Sequence, residues 1–135
     1  MKHIADTGII VGLLTRNDPY HAWAAREFRL NAPFYTCEAV LVEACCFFPD
    51  PTWVLRLVER GDLILDTTFS IIEELEQLLS LAAKYGDLPM DLADACIVRM
   101  TELSDRCKVW TVDRSDFSAY RRHGKKPIPC EFPTD

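Results

Sequence analysis

The residues able to do chemistry in this chain are four carboxylates. Asp94 lies in Pro89 to Met100, a stretch that reads as a helix. At about 100° per residue its neighbours around the wheel are Met90, Ile97, Val98 and Thr101, whereas the charged wedge is Asp91, Arg99 and Glu102. A carboxylate on an apolar face is costly unless something pairs with it. A hydrogen-bonded core aspartate and a metal ligand are both open readings. Glu43 repeats the anomaly: in the helical run Cys37 to Phe48 it sits among Ala39, Val40, Cys46 and Phe47, with Glu38 about 140° away. Asp6 and Asp113 close the strand-like segments that begin at Lys2 and Lys108. Taken singly, each could simply cap the helix that follows.

The elements between these acids decide whether they meet. After the first strand, Ile9 to Leu14 opens a helix, and Asn17-Asp18-Pro19 stops and restarts it, with Asp18 as cap. A helix over His21 to Leu30, a strand at Phe34 to Thr36 and the Glu43 helix follow. Next come a helix from Thr52 to Arg60, a strand at Leu63 to Leu65 and a long helix from Ser70 to Lys84. The spacing predicts Ile71, Leu75, Leu78, Leu79 and Ala82 inward on that long helix, with Ser70 and Glu73 as its capping box. The Asp94 helix, the strand Lys108 to Val112, a short helix and a small strand within Lys125 to Pro129 complete the chain. Strands alternating with helices predict an α/β fold, a three-layer α/β/α sandwich around a mostly parallel sheet. Ligands of such sheets bind beyond the carboxyl ends of the strands. Asp6 and Asp113 stand at that rim, and Glu43 and Asp94 come from helices beside it. Four carboxylates there repel one another unless a cation intervenes. All-oxygen ligands suit Mg²⁺ or Mn²⁺ rather than zinc.

Composition narrows the remainder. The 135 residues fit one domain spanning 1–135, and 49% hydrophobic content supplies an ordinary core. A net charge of −6 argues against broad, non-specific nucleic-acid binding. Six acids crowd between Glu59 and Glu76, while Arg114, Arg121, Arg122, Lys125 and Lys126 gather near the end of the chain and could cradle RNA phosphates. The six cysteines form no Cys-x-x-Cys pair and are expected as free thiols, with Cys45, Cys46 and Cys96 in the core. His3, His21 and His123 have no placement that suggests a general base. No apolar run is long enough to span a membrane and no signal-peptide pattern precedes Ile9, so a cytoplasmic protein is expected.

Four segments in order carry a family resemblance: Ile4-Ala5-Asp6-Thr7-Gly8, Leu41-Val42-Glu43-Ala44, Leu92-Ala93-Asp94-Ala95 and Thr111-Val112-Asp113-Arg114-Ser115-Asp116-Phe117. Together they resemble the PIN domain, most closely the small ribonuclease toxins of VapC type, over nearly the whole chain. The resemblance implies an acidic quartet of Asp6, Glu43, Asp94 and Asp113, catalytic and metal-binding, with Asp116 as an accessory acid. Thr7 and Thr111 are candidates to hold neighbouring carboxylates through their hydroxyls. The implied activity is Mg²⁺- or Mn²⁺-dependent endonucleolytic cleavage of single-stranded or structured RNA, leaving a 5′-phosphate and a 3′-hydroxyl. The implied partners are an antitoxin protein and a second copy in a homodimer. A receiver domain needs an acidic pair after the first strand, and a dehalogenase-type phosphatase needs Asp-x-Asp; Asp6-Thr7-Gly8 supplies neither. A non-catalytic PIN-like interaction module is the alternative.

Overall fold

The computed structural model describes residues 1–134. Strands β1 (Lys2–Ala5), β2 (Phe34–Thr36), β3 (Leu63–Leu65) and β4 (Cys107–Trp110) alternate with helices α1 (Thr7–Leu14), α2 (His21–Asn31), α3 (Glu38–Cys45), α4 (Thr52–Glu59), α5 (Leu75–Lys84) and α6 (Leu92–Glu102). Helix α7 (Arg114–Ala119) and the two-residue strands β5 (Arg121–Arg122), β6 (Lys126–Pro127) and β7 (Cys130–Glu131) close the chain. The main sheet has the order β3-β2-β1-β4-β7, and every pairing in it is parallel. It is the expected α/β/α sandwich. β1 lies at the centre, with Ile4 opposite both Tyr35 of β2 and Val109 of β4. The chain leaves β1 toward β2 and β3, then returns to β4 on the other side. The switch point therefore falls between β1 and β4, where an open parallel sheet leaves its crevice.

The core forms because the central strands are apolar on both faces. Ile4, Ala5, Phe34, Leu63 and Val109 are buried to the last atom, as are Ile9, Ile10, Val40, Ala44, Ile97 and Val98 from the helices. Thr36 lies among them without cost, because its hydroxyl donates to the Ala5 carbonyl at 2.9 Å. Trp110 donates its indole N–H to His3 Nδ1 at 3.0 Å, and burial lowers the His3 pKa. His3 is thus a structural acceptor.

Several boundaries differ from the sequence reading. Helix α3 stops at Cys45; Cys46 is exposed and Cys45 half-buried, so of the three cysteines expected in the core only Cys96 is there. All six thiols are free. Helix α5 begins at Leu75, not Ser70, and the intended box is absent: the Ser70 carbonyl accepts from the Glu74 N–H while residues 71–74 form turns. Of its five expected inward residues only Leu78 is buried, joined by Leu81 and Tyr85. The helix packs on α6 along one narrow stripe, so Ile71, Leu75 and Leu79 project outward. The small strand expected within Lys125 to Pro129 is β6, which pairs antiparallel with β5, whereas β7 lies beyond that range and extends the main sheet.

Gly8 fixes how closely α1 approaches the segment after β4. A Cβ there would collide with the Val112 side chain, whereas one on Gly12 meets only ordinary contacts, Ala24 Cβ at 3.4 Å among them. Gly8→Ala is therefore expected to lower unfolding free energy by about 1–3 kcal/mol through overpacking. Gly12→Ala should be neutral, or stabilising by up to about 1 kcal/mol from helix propensity. Urea denaturation of both variants checks the contrast.

Candidate active site

The cleft at the switch point collects seven carboxylates: Asp6, Asp18, Glu43, Asp91, Asp94, Asp113 and Asp116. Thr7, Gly8, Val112 and Phe47 complete much of its wall, and no Lys or Arg lines it among the described residues. Its volume is about 370 Å³.

Asp6 is positioned by the sheet. Its N–H donates to the Trp110 carbonyl at 3.1 Å, prolonging the β1–β4 ladder by one residue. Asp6 occupies the N-cap position of α1, yet its carboxylate makes no capping hydrogen bond. The buried Thr111 hydroxyl donates to its Oδ2 at 2.7 Å instead. The simple capping explanation for Asp6 therefore fails. Thr111 also accepts from the Asp113 N–H at 3.0 Å, so one hydroxyl ties the two strand-end acids together. Asp113 does cap its helix, its Oδ1 accepting from the Asp116 N–H at 3.0 Å.

Asp94 comes to the cleft by the same local device. Asp91 is the N-cap of α6, and its Oδ1 accepts from the Asp94 N–H at 2.8 Å. This sets Asp94 in the first turn, facing the cleft, with the Tyr120 hydroxyl donating to its Oδ2 at 2.8 Å. Asp91-x-x-Asp94 and Asp113-x-x-Asp116 are thus equivalent cap pairs on α6 and α7. Glu43 reaches the cleft from half-buried ground on α3.

Electrostatics mark Asp6 and Asp94 apart. Burial raises the Asp6 pKa from 3.8 to about 6, with the charges of Glu43 and Asp113 adding to the rise and the Thr111 hydrogen bond opposing it. Burial raises that of Asp94 to about 7, with Asp91, Asp6 and Asp113 adding and the Tyr120 hydrogen bond opposing. Asp116 is also raised, by burial and then by Asp113. One further polar atom is unsettled: Thr7 Oγ1 is buried in the cleft wall and has no hydrogen-bond partner.

These features fit a hard divalent cation in their chemistry. The donors are all oxygen, no basic side chain offsets them, and a buried hydroxyl lacks a partner. Among the described residues no three His, Cys, Asp or Glu side chains stand close enough together to hold an ion in their present positions. Holding one requires the carboxylates to draw together.

The structure brings Asp6, Thr7, Glu43, Asp94, Asp113 and Asp116 into one cleft wall, with Thr111 directly behind Asp6. It does not bring the basic segment there. Arg122 is buried and donates to the Thr101 and Ser104 carbonyls, closing the end of α6. Arg121 donates to the carbonyls of Ser118 and Tyr120 at 2.7 and 2.9 Å. Arg114 lies over the Phe132 ring at 4.6 Å, and Lys125 and Lys126 are exposed. The sequence reading missed Tyr120 and the double role of Asp91, and it read Asp18 as the cap of a helix that begins instead at His21, leaving Asp18 in the cleft lining. The Asp-x-x-Asp spacing signals Asp91; nothing in the spacing signals Tyr120, which folds back onto α6 from beyond α7.

No family model matches the chain, and no curated protein matches it. Among solved structures, the Mycobacterium tuberculosis VapC20 toxin, described as cleaving the sarcin-ricin loop, is similar with a TM-score of 0.64. Identity is 15%, and the match covers 80% of this chain and 87% of that one. The likeness is one of fold, and it shows the PIN-like architecture.

An acid whose pKa is raised on folding stabilises the fold below its unfolded value and loses that contribution as pH rises through the folded one. For Asp6 the loss runs between pH 3.8 and about 6. In chelator, Asp6→Asn should therefore be more stable than wild type near neutral pH, by on the order of 2 kcal/mol, with no gain near pH 4. Thermal melts across that range check it.

Proposed function

We propose that this protein is a Mg²⁺- or Mn²⁺-dependent endoribonuclease, acting as the toxin of a toxin–antitoxin pair. The observation that carries the reading is the cleft itself: seven carboxylates and no basic side chain at the switch point of a PIN-like sheet. An unaided cleft of this charge repels a phosphodiester. A bound divalent cation would neutralise the phosphate and acidify the attacking water.

In this reading Asp6 and Asp94 hold the ion, and Glu43 and Asp113 complete its ligand set. Thr111 keeps Asp6 oriented, and Tyr120 does the same for Asp94. Asp94, raised to about 7 by burial and neighbouring acids, must give up its proton to hold the ion. Thr7 Oγ1 is buried without a partner, so it gains one only if the cleft wall shifts as the carboxylates close on an ion. Of the C-terminal basic segment, exposed Lys125, Lys126 and Arg114 are then open to more distant RNA phosphates. The antitoxin and the homodimer rest on the likeness to a toxin fold, and growth arrest on induction, relieved by a co-encoded protein, tests them separately. No helix among the described residues is long and apolar enough to cross a membrane.

The direct test is cleavage of total RNA with end mapping. Wild type should cut in Mg²⁺ or Mn²⁺ and not in chelator, leaving 5′-phosphates. Asp94→Asn should lose on the order of 100-fold or more of that activity, because loss of a ligand exceeds loss of a supporting group. Undiminished cleavage by Asp94→Asn would remove Asp94 from the site. Tyr120→Phe should cost roughly tenfold in the Mn²⁺ concentration needed for half-maximal activity, leaving the fold intact.

A further inference from the structure

Beside the acidic cleft lies a second cavity of about 500 Å³, lined by Leu14, Thr15, Arg16, Phe47, Phe48, Pro49 and Trp53. Its size is that of a small-molecule pocket. Phe47 lines both cavities, so they adjoin at its ring. Their chemistry is opposite: the first is walled with acids, whereas the second has none and carries Arg16. Phe48 and Trp53 stack with ring centroids 5.5 Å apart and planes 11° from parallel, forming a flat apolar wall. Phe47 is 63% exposed and Trp53 44% exposed, an expensive use of large rings for a water-facing surface. The local cause is the end of α3 at Cys45: the chain then turns at residues 46–51, which throws Phe47 toward the cleft.

We propose that this groove is a nucleobase subsite of the ribonuclease described above, on which reading it rests. A base of the single-stranded segment leading away from the scissile phosphate stacks on Phe47 and enters the cavity against Trp53. Arg16, exposed at the rim, meets the adjoining backbone phosphate. Every base has a π-face, so aromatic rings bind single strands with little sequence demand. The juxtaposition answers a need of the acidic cleft, whose lining among the described residues holds no cation and, besides Phe47, one exposed ring, Tyr20. Base stacking beside it supplies affinity that the acids cannot.

Trp23 and Trp110 are each 6% exposed, so quenching of intrinsic fluorescence by a nucleic acid reports on Trp53. The probe is a single-stranded oligoribonucleotide of roughly ten nucleotides, added with Ca²⁺ for binding and Mn²⁺ for cleavage. Wild type should show a saturable quench, which Trp53→Phe should abolish while binding persists. Phe47→Ala should weaken binding about tenfold and lower kcat/KM by the same factor, mainly through KM, and Phe47→Trp should restore both. Both positions are exposed, so these variants keep the core. Cleavage by wild type with no quench, and with an unchanged KM in Phe47→Ala, overturns the subsite and leaves the groove to a protein segment. A quench without cleavage keeps the subsite and removes the nuclease reading; neither quench nor cleavage removes both.

Discussion

The Thr111 hydroxyl joins the two halves of the site. It donates to Asp6 at the end of β1 and accepts from the Asp113 N–H just beyond β4. Those strands are parallel neighbours in the middle of the sheet, and the chain reverses its winding between them. A parallel sheet leaves a crevice there, and this hydrogen bond decides which side chains look into it. Everything else in the site is arranged about that pair. Gly8 lets α1 approach Val112 closely enough for Asp6 and Asp113 to share one wall.

The electrostatic cost of that wall is large and uneven. Asp6 and Asp94 bear most of it, because burial and neighbouring acids act on them together. The cap pairs explain how the fold tolerates so many carboxylates nearby. Asp91 and Asp113 each give one oxygen to a helix N-terminus, where negative charge is stabilised. Their second oxygens remain for the cleft. A cation in this place would relieve repulsion that the fold itself does not offset.

Much of this was legible in the chain before any coordinates. Asp6, Glu43, Asp94 and Asp113 stood out because each sat where a carboxylate is costly or at the end of a strand. Alternation of strands and helices was enough to bring them to one rim. What stayed hidden was long-range. Tyr120 reaches Asp94 across 26 residues of sequence, and spacing carries no trace of that. The basic run at the C-terminal end read as one patch, but the fold divides it: Arg122 turns inward to close α6 while Lys125 and Lys126 stay outside. Helix α5 misled for another reason. Its apolar residues exceed what a single packing stripe on α6 can cover, so the pattern overstated the buried face.

The central claim is that the carboxylates of this cleft exist to hold a divalent cation. Calorimetric titration of Mn²⁺ near pH 7, in two buffers of different ionisation enthalpy, measures both the binding and the protons it displaces. With Asp6 near 6 and Asp94 near 7, part of the site is protonated at that pH. The account predicts saturable binding with net proton release, both lost in Asp94→Asn. No binding, or binding indifferent to that substitution, would contradict it.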